Sequence, residues 1–177
     1  FQNVCGGVRV TVPAGAISVT LKSAVSTVKA TVPGAGTYDI FVRVSEHEGF
    51  TVSAAAEDGR YVLSSEKTLS VTAGKIWNLN DICTGALFLP ATITTAEQLR
   101  NWAANSGLYD AGEIVSLGAD IDLGGTEWVP AVTFAGIFDG ADHKISNLVC
   151  TEYKDANVGL ISTLSKGATL KNLVTGT

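Results

Sequence analysis

Apolar and polar residues alternate through the first half of the chain with the period of half-buried strands. Val8-Arg9-Val10-Thr11-Val12 sets three valines on one face and stops at the turn Pro13-Ala14-Gly15. Ile17-Ser18-Val19-Thr20-Leu21-Lys22 predicts a strand with Ile17, Val19 and Leu21 facing the same way. Residues 28–32 end at Pro33-Gly34, and residues 38–44 form the next alternating run. Residues 50–54 lead into Glu57-Asp58-Gly59, where Asp-Gly marks a tight hairpin answered by residues 60–63. Residues 68–71 and 76–79 follow, separated by Ala73-Gly74-Lys75. About seven strands with a turn every 8 to 12 residues or so are the signature of a β-sandwich, expected over residues 1–82.

The pattern then changes. Residues 83–92, with Cys83-Thr84-Gly85-Ala86 and Pro90, read as a linker. Residues 94–106 carry the one good helical pattern. Thr94 and Thr95 offer N-caps, Glu97 or Gln98 completes a capping box, and Leu99, Trp102 and Ala103 share a face before Asn105-Ser106-Gly107 stops it. From Glu113 onward the sequence repeats. Asp122-Leu123, Asn147-Leu148 and Asn172-Leu173 recur every 25 residues, and Ala135-Gly136-Ile137-Phe138 is echoed by Val158-Gly159-Leu160-Ile161 at a spacing of 23. A period in the twenties predicts a stacked solenoid over residues 93–177. Its strands would lie about 4.8 Å apart, with Leu123, Leu148 and Leu173 in one inward column. Asp122, Asn147 and Asn172 would stack where the backbone turns, because Asx side chains tolerate left-handed geometry and bond nearby amides. The helix is expected to cover the exposed strand edges at the first end.

Composition narrows the picture. The chain has 177 residues, 46% of them apolar, with 19 Gly and 4 Pro, which suits a cored protein of short strands and turns. The net charge of −5 and the absence of any basic run argue against nucleic acid as a partner. No apolar run approaches membrane-spanning length, the longest being residues 86–91. There is no Met and the first residue is Phe1, so the chain is expected to be a processed product or a piece of a longer protein. Cys5, Cys83 and Cys150 are odd in number and widely spaced, which suits buried thiols better than a zinc site; the one disulfide their spacing favours is Cys5–Cys83.

The two halves resemble different families. Val10-Thr11-Val12-Pro13-Ala14-Gly15, Gly36-Thr37-Tyr38-Asp39-Ile40, Gly49-Phe50-Thr51-Val52, Asp58-Gly59-Arg60 and residues 69–79 resemble the C-terminal half of fimbrillin-like bacterial surface proteins. The second half resembles the opening of a GLUG-type region. The carrying residues are Asp120-Ile121-Asp122-Leu123, Trp128-Val129-Pro130, residues 134–148 and Leu170-Lys171-Asn172-Leu173, with Asp142 standing where that pattern has Gly. The resemblances imply an all-β protein, a β-sandwich followed by the start of a right-handed parallel β-helix with one short capping helix. They also imply a place at the extracellular or outer-membrane surface, with any lipid anchor outside this chain.

Few residues suggest chemistry. Asp139-Gly140-Ala141-Asp142-His143 puts two carboxylates and an imidazole in one loop, which suits metal binding or acid–base work. The structural reading makes Asp139-Gly140 a tight turn, with Asp capping amides and Gly supplying a positive φ, and it is preferred. Asp120 and Asp122 alternate with Ile121 and Leu123 and so share a strand face; a paired-carboxylate or Ca²⁺ role with Asp139 is weighed against a solvated face. His47, between Glu46 and Glu48, is expected to be exposed. Trp77, Trp102 and Trp128 are expected to pack in cores rather than stack on sugars. Gly6-Gly7 is read as a loop or bulge. No nucleophile elbow, phosphate loop or dinucleotide fingerprint occurs. The expectation is a non-enzymatic surface structural or adhesive module, without cofactor, metal or catalytic residue, that contacts a glycan or a host surface protein. The alternative is the N-terminal portion of a carbohydrate-active β-helix protein, lyase-like or hydrolase-like.

Overall fold

The computed structural model describes residues 5–43, 51–63, 71–79, 86–151 and 158–176. His47, Cys83, residues 68–70 and the start of the expected linker lie outside the described residues. The described chain is all-β in character, mostly strands in several sheets with one α-helix. It divides into two compact units, Phe1–Phe88 and Leu89–Thr177, and the boundary falls inside the 83–92 segment.

The first unit contains β1 (Cys5–Val12), β2 (Ala16–Lys22), β3 (Thr27–Thr31), β4 (Gly36–Arg43), β5 (Thr51–Ala56), β6 (Gly59–Val62) and β7 (Ile76–Asn78). One sheet has the order β4-β1-β7, with β1 antiparallel to β4 and parallel to β7. The other runs β3-β2-β5-β6 and ends on β8 (Leu87–Pro90), which carries the chain across the boundary. The β5–β6 hairpin closes through Glu57-Asp58, with Ala56 opposite Gly59. Val8, Val10, Ile40 and Val42 of one sheet and Val19, Leu21, Val52 and Ala54 of the other meet in one buried cluster with Leu79. On the outer face Arg9 grips Asp39 through two hydrogen bonds of 2.7 and 2.8 Å.

Several expectations are corrected. Ile17 does not share the face of Val19 and Leu21. The pairing of β2 with β5 shifts register between Ala16 and Ser18, so Ala16 and Ser18 turn inward and Ile17 is 53% exposed. An extra residue inserted in one strand reverses the alternation on its far side. Trp77 is 41% exposed rather than buried, because among the described residues β7 is a three-residue edge strand with a neighbour on one side. Gly6 and Gly7 lie within β1, not in a loop, and a Cβ on Gly6 would sit 2.4 Å from the Thr72 carbonyl oxygen. Cys5 is exposed and Cys150 half-buried, so neither is the buried thiol expected.

The second unit begins with β9 (Thr92–Ile93) and α1 (Ala96–Ala104). Thr95 is the N-cap: its hydroxyl accepts from the Gln98 amide at 3.2 Å while the Gln98 side-chain oxygen accepts from the Thr95 amide at 3.2 Å. This reciprocal bonding satisfies donors that the first turn leaves orphaned. Leu99, Trp102 and Ala103 form the buried face, as the spacing predicts. After a 3₁₀ turn at Ser106–Leu108 come β10 (Ile114–Leu117), β11 (Ile121–Asp122), β12 (Ile137–Asp139), β13 (Lys144–Ser146), β14 (Thr169–Lys171) and β15 (Val174–Gly176).

All pairing among these strands is parallel. One sheet has the order β14-β12-β10-β9 and another β11-β13-β15. Single parallel bridges join Glu127 to Val149, Ala131 to Ile161 and Phe134 to Leu164. Val115, Phe138 and Leu170 therefore lie in register, as do Ile121, Ile145 and Thr175.

This register corrects the expected leucine column. Ile121 pairs with Ile145, 24 residues on, but Ile145 pairs with Thr175, 30 residues on. Leu173 thus precedes the β15 position that faces Lys144, while Leu148 follows β13. Leu123 is buried, whereas Leu148 and Leu173 are only half-buried. The echo of residues 135–138 in 158–161 fails for the same reason, since Ile161 pairs with Ala131 and Ile137 with Ile114 and Thr169. The extra length lies between Val149 and Ile161, twelve positions apart where their partners Glu127 and Ala131 are four apart. The longer spacing there lengthens the sequence period while the pairing on either side stays parallel.

Candidate functional site

The acidic residues singled out from sequence stand on the outer side of the parallel ladders. Asp120 and Asp122 are exposed while Ile121 and Leu123 between and beside them are buried, so the two carboxylates do share the strand's outer face. Backbone pairing, not a pocket, decides what each acid meets.

Asp120 receives its partners from the next layer. Its Oδ1 accepts from the Lys144 backbone amide at 3.0 Å and lies 3.1 Å from His143 Nδ1. The amide bond first, and His143 second, hold this carboxyl below the ordinary Asp range. Asp122 accepts from Asn147 Nδ2 at 2.7 Å and from the Gly124 amide at 2.8 Å, an Asx turn closed across to the neighbouring strand. Both bonds lower its pKa, that to Asn147 the more. Asp139 is the most engaged. Its Oδ1 accepts from the Ala141 amide and from Asn172 Nδ2, each at 3.0 Å, and its Oδ2 lies 2.9 Å from Lys171 Nζ. Lys171, the Ala141 amide and Asn172 together hold its pKa at about 2.

The asparagines behave as their chemistry predicts, but in two places rather than one. Asn147 and Asn172 have φ of 55° and 51°. Asn147 bonds Asp122 as expected; Asn172 bonds Asp139, at another corner of the backbone. The single Asp122, Asn147, Asn172 ladder is therefore two separate Asp–Asn pairs, because the second layer is longer than the first.

The turn after Asp139 also differs from expectation. Gly140 does not supply the positive φ; Ala141 at 47° and Asp142 at 64° do. The His143 amide closes the turn on the Gly140 carbonyl at 2.8 Å. Two successive left-handed residues are the arrangement of a type I′ turn, costly for Ala and tolerable for Asp. Asp142, where the resembled pattern has Gly, fits for this reason. Replacing Ala141 by Gly is expected to raise the unfolding free energy by about 1 kcal/mol, less the backbone entropy that Gly adds to the unfolded chain. Chemical denaturation of the two proteins measures it, and a lower midpoint for Ala141→Gly would contradict the left-handed assignment.

The structure brings Asp120 to His143 and Asp139 to Lys171, pairs that lie 23 and 32 positions apart in sequence. It does not gather Asp120, Asp122 and Asp139 round a common point: among the described residues no group of three or more His, Cys, Asp or Glu could hold a metal ion. Lys171 was missed from sequence; only the parallel register, which sets it beside Asp139, reveals it. Trp102 and Trp128 are fully buried, as predicted, and Trp128 Nε1 donates to the Leu160 carbonyl at 3.2 Å. Among the described residues no helix is long and apolar enough to cross a membrane.

In comparison with known proteins, no family model, curated protein or solved structure matches the chain.

Asp139 couples the stability of the fold to pH. Its folded-state value lies below the ordinary Asp value, so its contribution to stability is complete above about pH 4. That contribution is lost as the pH falls from there toward about 2. Denaturation midpoints should therefore drop between pH 4 and pH 2 in the wild-type chain, and drop less steeply in Asp139→Asn. Parallel curves for the two proteins would show that the Lys171 and amide bonds do not form in solution.

Proposed function

We propose that the chain is a non-enzymatic structural and adhesive module of a bacterial cell surface. In this reading it is a fimbrillin-like β-sandwich followed by the first coils of a right-handed, GLUG-type parallel β-helix, whose start α1 caps. It contacts a glycan or a host surface protein and needs no cofactor. The sandwich reading is supported by two sheets whose inward residues share one buried cluster. The β-helix reading is supported by three parallel lines of pairing, through β10-β12-β14, β11-β13-β15 and the bridges from Ala131 and Phe134. The capping role is supported by Arg100. It donates to the Glu127 carbonyl at 3.0 Å and to Thr126 Oγ1 at 2.6 Å, and lies 5.6 Å from the centre of the Trp128 ring.

The observation that carries the functional reading is the fate of the acids. Asp122 and Asp139 spend their lone pairs on turn amides and on an asparagine of the next layer. A carboxyl held at low pKa has no proton to give near neutral pH, which is the reverse of what a general acid needs. These residues shape corners. The surface location follows from the family resemblances alone.

The second reading, a piece of a carbohydrate-active β-helix protein, has one observation in its favour: the exposed Asp120–His143 contact of 3.1 Å. One experiment separates the two. The full chain is applied to arrays of glycans and host surface proteins with and without Ca²⁺, and incubated with the same polysaccharides to detect new chain ends. Binding that persists in Asp120→Ala, without Ca²⁺ and without cleavage, is expected. Cleavage that vanishes in Asp120→Ala would establish the second reading, and a chain that binds nothing on the arrays would sink the adhesive one.

A further inference from the structure

Two corners of the second unit are built alike although their sequences differ after the first residue. At one, Asp122 ends β11 and Leu123-Gly124-Gly125-Thr126 follow; at the other, Asp139 ends β12 and Gly140-Ala141-Asp142-His143 follow. In each, the acid's Oδ1 accepts from the amide two residues on, that of Gly124 at 2.8 Å and that of Ala141 at 3.0 Å. The backbone then turns left-handed twice, at Gly124 and Gly125 with φ of 64° and 67°, and at Ala141 and Asp142 with φ of 47° and 64°. Each turn closes on the residue after the acid. The Thr126 amide donates to the Leu123 carbonyl at 3.3 Å, and the His143 amide to the Gly140 carbonyl at 2.8 Å.

The layer stacked on each corner is also the same. Asp122 is in register with Ser146 and Asp139 with Lys171, and the residue after each partner is a left-handed asparagine, Asn147 or Asn172. The amide after the acid donates to the residue before the asparagine, Leu123 to the Ser146 carbonyl at 3.1 Å and Gly140 to the Lys171 carbonyl at 2.9 Å. The asparagine side chain donates to the acid, at 2.7 and 3.0 Å. Its carbonyl accepts from the amide three residues beyond the acid, that of Gly125 at 3.2 Å and that of Asp142 at 2.9 Å. Acid and asparagine are 25 residues apart at one corner and 33 at the other, so chain spacing does not set the match.

What recurs is a complementarity across layers. A carboxylate only accepts hydrogen bonds, an amide nitrogen donates, and Asn is among the few residues that visit the left-handed region routinely. Sliding the upper strand by one residue would bring Ser146 or Leu148 to the place of Asn147, and Lys171 or Leu173 to that of Asn172. The carboxylate would lose its amide donor, and the same slip would turn every inward side chain outward. We propose that each Asp–Asn corner is a register lock, in which the carboxylate of one layer selects the asparagine of the next and so fixes which residues of the parallel strands stack.

Exchanging the two groups tests this in the 177-residue chain. Asn147→Asp keeps a residue that tolerates the left-handed backbone but sets two carboxylates against each other. It is expected to raise the unfolding constant in urea about tenfold. Asp122→Asn by itself should cost less, because its one carbonyl oxygen can accept the bonds that Oδ1 accepts. Combined with Asn147→Asp, it restores a donor facing an acid, now with the layers reversed, and should recover most of the loss. Asp139→Asn combined with Asn147→Asp removes the acid of the other corner, and the two losses should simply add. If Asn147→Asp does not fold, the lock requires that Asp122→Asn with Asn147→Asp fold with the circular dichroism of the wild-type chain. Four results would each overturn the proposal: wild-type stability in Asn147→Asp, no recovery in the pair from one corner, a pair that fails to fold, or equal recovery from Asp139→Asn.

Discussion

Gly140→Ala is expected to lower the unfolding free energy of the second unit by about 3 kcal/mol or more, a severe loss for one methyl group. The reason is not backbone freedom, since Gly140 does not sit in the left-handed region. A Cβ at this position would lie 2.3 Å from the Asn172 carbonyl oxygen and 2.6 Å from the Leu173 Cα. Both are backbone atoms of the connection between β14 and β15 stacked on this turn, and backbone cannot swing aside as the end of a side chain can. The chain would have to part β12 from β14 at the corner, breaking the Gly140 amide bond to the Lys171 carbonyl at 2.9 Å and the Asp139–Asn172 bond beside it. Urea denaturation followed by the fluorescence of the buried tryptophans measures the loss. Gly112→Ala is the control, because a Cβ there meets nothing within 4 Å, although its φ of 81° carries a smaller strain of its own. Equal losses at the two positions would show that the close approach of Asn172 and Leu173 adds nothing to the cost.

Trp102→Ala should cost about 3 to 5 kcal/mol, the range for emptying a large aromatic site in a core that cannot collapse round it. Trp102 is fully buried on α1, with the Phe134 ring 5.3 Å away edge-on and the Phe138 ring 4.6 Å away. It joins the helix to two layers of the parallel ladders at once, so its loss weakens the hold of α1 as well as the core. Its Nε1 is buried without a hydrogen-bond partner. Trp102→Phe removes that unpaired donor along with one ring, so the two effects oppose each other and this variant should lose less than half of what the alanine variant loses. A Phe variant as unstable as the Ala variant would mean that Nε1 has a partner after all.

Much of the local structure is legible in the sequence. Thr95 and Gln98 announce the start of α1, and Leu99, Trp102 and Ala103 its inner face, because capping and helical periodicity involve residues only three or four apart. The turn at Glu57-Asp58 and the alternation in β1 and β4 are equally short-range. Ile17 was misplaced because one inserted residue reverses a period-two pattern, and nothing in the alternation itself marks the insertion. Trp77 was misplaced because a strand's sequence does not say whether it lies at an edge.

The candidate site was legible as a set of residue types and not as a set of contacts. Asp122, Asn147 and Asn172 announced corners by their side-chain chemistry, and Asn147 and Asn172 are indeed left-handed. That Asn172 serves Asp139 instead of Asp122 depends on the longer second layer, whose extra residues lie between Val149 and Ile161. The meeting of Asp139 with Lys171, and of Asp120 with His143, depends on the same register. A 25-residue recurrence in sequence is not a column in space, since sequence spacing counts residues that pairing does not.

The sequence by itself determined which segments extend, which one coils and where the backbone can turn left-handed, because those choices rest on neighbours within one turn or one strand. The tertiary structure alone decided which layer lies on which, and therefore which amide, lysine or asparagine each carboxylate meets. Parallel strands are joined by long connections, and the length of a connection leaves no trace in the side chains at its ends.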